Sequence, residues 1–134
     1  MINDNTLKRT TALPAAAAAA SCTYIDLGSV APLGGVRSPA YIEITHPATA
    51  SLTNAKTITY DVLDCATSGG TYVVVTGVGN MIITGAGGVG AATAKFTIAV
   101  PPSIRQYVKV RATVETGGGD NTAASFIVNI GSGV

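Results

Sequence analysis

The residues most able to do chemistry are few, and the first is the run Gly85-Ala86-Gly87-Gly88-Val89-Gly90, which spells GxGxxG directly after the apolar stretch 81–84. In a dinucleotide-binding unit these glycines let a pyrophosphate approach the N-terminus of a following helix. The next segment, residues 93–100, instead alternates polar and apolar as a strand does and runs into Pro101-Pro102, so the helix that the phosphate needs is missing. Only 44 residues follow Gly90, too few to complete a doubly wound sheet. The motif therefore reads as a glycine hairpin, and no nucleotide cofactor is expected.

His46 is the single imidazole and precedes Pro47 at a strand end, so a general base would have no imidazole partner. Cys22 and Cys65 are the only cysteines and lack CxxC spacing, which leaves a metal site short of ligands. They read as two buried thiols, with a disulfide as the alternative. The acids are scattered. Asp61 and Asp64 come close, but their odd spacing puts them on opposite faces of a strand, which does not make a glycosidase pair. No catalytic residue is assigned, and a non-enzymatic protein is expected.

One row is different in kind. Arg105, Tyr107, Lys109 and Arg111 project to the same side of a strand whose other side carries Val108 and Val110. Such a row is either a solvated face or a contact surface, since Arg and Tyr are enriched at interfaces.

The elements that would position these residues are strands. Period-two alternation, punctuated by Gly, Pro, Asn and Asp, predicts them at 40–46, 56–64, 71–76, 93–100, 105–115 and 122–130, with weaker ones at 22–27 and 81–84. Their inward rows are Ile42 and Ile44; Ile58, Tyr60 and Val62; Phe96, Ile98 and Val100; Val108, Val110, Ala112 and Val114; and Phe126, Val128 and Ile130. No segment sustains a 3.6-residue period. The expected fold is all-β, an antiparallel jelly-roll-like sandwich of about eight strands.

The chain of 134 residues is long enough for one domain with a real core. Residues 1–21 are expected to form an N-terminal arm and residues 22–134 the sandwich. Six consecutive alanines, 15–20, are too short for an isolated helix, which needs roughly 12 residues. The arm is expected to be held by another chain, with Leu7, Leu13 and Pro14 as apolar anchors.

Charged residues make up only 11% of the chain, against roughly 25% in an ordinary globular protein. A surface this short of charge suits contact with another surface. The formal net charge of +1 gives no electrostatic case for nucleic acid or an anionic membrane as partner. No run of 18 apolar residues exists to form a transmembrane helix. The stretch from Lys8 to Cys22 imitates a signal peptide or lipoprotein site, but Asp4 sits in the would-be basic region, Pro14 interrupts the apolar part, and that part is weakly hydrophobic alanine.

Two stretches carry a family likeness. The opening MINDNTLKRTTALPAAAAAASCTYIDLGS and the later VPPSIRQYVKVRATVETGGG, where a proline pair leads into an Arg-x-Tyr-x-Lys strand and a glycine-rich turn, resemble the dimeric jelly-roll capsid cement (decoration) proteins of some tailed phages. The likeness spans residue 1 to about residue 128. It implies a jelly roll on the outer surface of the virion, bound to the phage major capsid protein. It also implies self-association as a homodimer, with a trimer as the alternative, and a role in strengthening the shell against internal DNA pressure. The competing expectation is an exported bacterial β-domain, an adhesin or lipoprotein, for which the stretch from Ala15 to Cys22 speaks.

Overall fold

The structure, a computed structural model, describes residues 2–3, 7–27 and 40–132. Among them run eleven strands: β1 (Ile2–Asn3), β2 (Arg9–Ala12), β3 (Ala19–Ser21), β4 (Ile25–Asp26), β5 (Ala40–His46), β6 (Thr57–Cys65), β7 (Val73–Val74), β8 (Met81–Thr84), β9 (Ala94–Ala99), β10 (Tyr107–Val114) and β11 (Ser125–Ser132). The fold is all-β, as the alternation requires.

Every pairing is antiparallel, and the pairings are nested. The strand β2 lies on β11, β3 and β4 on β10, β5 on β9, and β7 and β8 on β6. Two further ladders, β5 on β11 and β6 on β10, join these pairs into two sheets. The first sheet has the order β1-β11-β5-β9 with β2 also on β11, and the second β3-β10-β6-β7 with β4 on β10 and β8 on β6. A long hairpin whose partners alternate between two sheets is the order of a jelly-roll-like sandwich.

The core lies between the sheets and is built from the alternating rows. Ile42, Ile44, Ile58, Tyr60, Val62, Val108, Val110, Ala112, Val114, Phe126 and Val128 are fully buried, and Ile130 nearly so. Phe96, Ile98 and Val100 are only half-buried against it. Phe96 and Ile98 lie on β9, which ends its sheet, and among the described residues no strand lies beyond it.

The predicted boundary after residue 21 has no counterpart in the packing. β2 and β3 are paired strands of the two sheets, Leu7 and Leu13 belong to the core cluster, and Ala17 and Ala18 exchange backbone hydrogen bonds with Val114. Among the described residues the arm is thus part of the sandwich. Its residues 1 and 4–6 lie outside those described. The reason is local: Thr10 and Thr11 favour a strand, and an unpaired edge of β11 is available to receive them.

The expected strand 71–76 shrinks to Val73–Val74, and 22–27 to Ile25–Asp26. Both β7 and β8 run antiparallel to β6, Val73 opposite Asp64 and Met81 opposite Tyr60. They are two pieces of one edge strand, parted by an outward loop at 76–80 in which Gly77 and Gly79 take φ values of 87° and 75°.

Candidate interaction surface

On β10 the outward positions are Tyr107, Lys109, Arg111 and Thr113, and the side chains of the first three each meet a partner from their own chain. Arg111 lies directly opposite Asp61 in the ladder and donates from Nη2 to Oδ2 at 2.8 Å. Lys109 holds its Nζ 4.3 Å above the Tyr72 ring, and Tyr107 packs edge-on against Tyr24 with ring centroids 5.4 Å apart. Gln106 donates to Asp26 at 2.9 Å.

Arg105 sits just before the strand and clamps its end. Its Nε and Nη2 donate to Asp64 Oδ1 at 2.9 and 2.6 Å, its backbone N–H donates to Oδ2 at 2.9 Å, and Nη2 also reaches the Asp64 carbonyl. Burial works to raise the Asp64 carboxyl, but the hydrogen bonds and charge of Arg105 outweigh it and hold the group below its ordinary value. Asp64 thereby remains an anion whose charge is matched at once.

Tyr107, Lys109 and Arg111 thus share the outer face of the second sheet, as alternation predicts, whereas Arg105 lies outside β10 and its guanidinium is held by Asp64, which pairs with inward-facing Val108. On this face Arg111 is matched by Asp61, while Lys109 stands over the Tyr72 ring. The anchors predicted in the arm are placed otherwise: Leu7, Leu13 and Pro14 are buried, Leu7 and Leu13 in the chain's own core. The arm was expected to be held by another chain; in this fold the chain's own core holds Leu7 and Leu13.

The exposed large apolar side chains are more telling than the charged row. Among the described residues they are Tyr24, Val73, Val74, Ile82 and Val89, and the first four belong to the second sheet or the segment leading into it. Sequence alternation did not single these out, since the first four each read locally as a strand residue with an inside and an outside and Val89 lies in the expected glycine hairpin. A usable signal existed: residues 65–94 contain no charged side chain and no proline.

The remaining candidates fall to structural roles. The GxGxxG run is a tight turn closed by Ala86 N–H to Gly90 O at 2.8 Å, and the chain continues into β9. A side chain at Gly90 would overlap the Thr49 carbonyl, and one at Gly85 would overlap that of Thr53, so the glycines admit a neighbouring loop. Gly90, at φ 68°, has a second reason to be glycine.

His46 is fully buried, with Nδ1 2.7 Å from the Tyr60 hydroxyl and Nε2 3.2 Å from Thr49 Oγ1. Burial lowers its pKa to about 4 and raises that of Tyr60, so both are neutral at pH 7. Cys22 and Cys65 are both free and buried, and Cys22 Sγ accepts the Val110 N–H at 3.3 Å. Among the described residues no group of three or more His, Cys, Asp or Glu is arranged to hold a metal ion. Nor is any helix among them long and apolar enough to cross a membrane.

No protein-family model and no curated protein matches this chain.

Proposed function

We propose that this protein is a structural capsid cement (decoration) protein that binds the outer surface of a tailed-phage shell and strengthens it against internal DNA pressure. The observation that carries the reading is an aromatic- and aliphatic-rich outer face on a two-sheet sandwich, with Tyr24, Val74 and Ile82 exposed on it and Arg111 matched to Asp61. A cement subunit has no chemistry to perform. It gains strength by repetition, so a modest contact per copy suffices. The low charge of the chain and the likeness of its two quoted stretches to the cement family point the same way.

Mixing the purified protein with undecorated tailed-phage capsids tests the reading. Co-sedimentation at saturable stoichiometry, together with greater resistance of the shells to heat, is the expected outcome; failure to bind refutes it. Intact mass of the native protein checks the exported alternative, which predicts loss of about 20 residues. Against that processing stands the position of β2, β3 and Leu13 inside the sandwich.

The same packing sets what truncation does. Removing residues 2–14 takes away β2 and two buried leucines, each of which is typically worth about 2–5 kcal/mol. The truncated chain is expected to lose its cooperative thermal transition. A truncated chain with native melting would show that the N-terminal segment is not part of the fold.

A further inference from the structure

The outer edge of the second sheet is unlike the other long edge of the molecule. At β9 the edge carries Lys95, whose side chain is 58% exposed, and the strand runs out into Pro101-Pro102. Lysine and proline are common guards against strand pairing. At β7 and β8 no such guard exists: the strands read VV and MIIT, inside a stretch of 30 residues without charge or proline.

The backbone of this edge is open as well. Gly85 N–H bonds to Lys56 O at 2.9 Å, and Ile83 and Met81 lie opposite Ile58 and Tyr60. In an antiparallel ladder the hydrogen-bonding direction alternates, so Ile82 and Thr84 aim their N–H and C=O away from β6. Val75 N–H bonds to Val62 O at 2.9 Å, which by the same alternation turns the groups of Val74 outward. Among the described residues no strand pairs with this side. The side chains beside these groups are apolar and half in solvent: Val73 49%, Val74 48% and Ile82 53% exposed.

We propose that the edge formed by residues 73–84 is a strand-addition site that takes an extended, uncharged segment of a shell subunit. The identity of the partner rests on the cement reading; the edge itself does not. Main-chain hydrogen bonds to Val74, Ile82 and Thr84 supply the attachment, and apolar side chains packing beside Val74 and Ile82 supply selectivity. A charged partner strand is disfavoured, because residues 65–94 contain no opposite charge to compensate its desolvation.

Hydrogen exchange of the free protein and of the protein bound to undecorated tailed-phage capsids, followed on peptides covering residues 71–86, reads the proposal directly. Exchange in this span is expected to slow by roughly tenfold or more on the shell and to be independent of protein concentration in solution. Unchanged exchange on binding overturns the proposal. So does protection in the free protein that grows with its concentration, since a second copy would then fill the edge.

Two variants give an independent reading. Ile82→Lys is at an exposed position and is expected to fold with unchanged melting, yet to bind shells at least about tenfold more weakly, because strand addition would bury the new charge. Thr97→Lys, on the guarded β9 edge, is expected to bind as wild type. Normal binding by Ile82→Lys sinks the proposal alone, whereas wild-type protein that ignores the shells sinks the cement reading and this proposal with it.

Discussion

Two regions of this molecule, both rich in glycine and poor in charge, behave oppositely. At one end of the sandwich the loop 47–56 is wedged between the turns at 85–90 and 117–119. Thr49 exchanges two backbone hydrogen bonds with Ala91, Ala55 N–H bonds to Gly85 O, and Thr53 N–H bonds to Gly118 O. Gly90 and Gly119 are bare of side chains where the Thr49 and Ser51 carbonyls press against them. The second region, the 73–84 edge, also contains glycines, but a side chain at Gly77 or Gly79 would meet nothing within 4 Å. Composition alone does not distinguish a closed end from an open edge. What distinguishes them is whether another backbone occupies the space that the missing side chains leave.

Substitutions should therefore cost stability at the closed end and leave it untouched at the open edge. The largest effect is expected at Tyr60, which joins the closed end to the core. It packs on Phe126 and Phe96 at centroid distances of 5.4 and 6.4 Å and satisfies His46. Tyr60→Ala should lose about 3–5 kcal/mol in denaturant unfolding. A loss near 1 kcal/mol would mean that this end relaxes freely, contrary to the comparison.

Acid should produce the next effect. The folded pKa of His46, about 4, lies below its ordinary 6.5, so folding favours the neutral ring. Its contribution is complete above pH 6.5 and is lost as pH falls from there through 4, in total by up to about 3 kcal/mol. His46→Gln should flatten that part of the pH–stability curve, measured by melting between pH 7 and pH 4. An unchanged slope would show that other groups set it.

Glycine substitutions sharpen the contrast inside a single turn. Gly90→Ala adds a methyl that overlaps the Thr49 carbonyl at a φ of 68°, and should cost upwards of about 2 kcal/mol. Gly88→Ala has a similar φ, 76°, but open space, and should cost about 1 kcal/mol. Equal costs would mean that conformational strain alone governs the turn. The smallest effect belongs to the open edge: Ile82→Thr should change stability by less than about 0.5 kcal/mol, and a larger loss would place Ile82 in the core.

Some of this was legible beforehand and some was not. The rows Ile42–Ile44, Ile58–Tyr60–Val62 and Val108–Val110 could be read as buried because period two maps directly onto the two sides of a pleated strand. Tyr107, Lys109 and Arg111 could be read as outward by the same rule. Phe96 and Ile98 were expected inside and are only half-covered, because alternation gives the side that a residue faces, not whether its strand has a neighbour.

Strand class, inward rows and the shortage of charge are thus properties of the sequence itself, since each depends on neighbours within a few positions along the chain. The fate of the N-terminal segment, the matching of Arg111 to Asp61 and of Arg105 to Asp64, and the difference between the closed glycine end and the open 73–84 edge were decided only in three dimensions. Those features join residues as distant as Arg9 and Val128, or Asp64 and Arg105. Which long-range pairs form depends on how the whole ladder nests, and no local pattern encodes that.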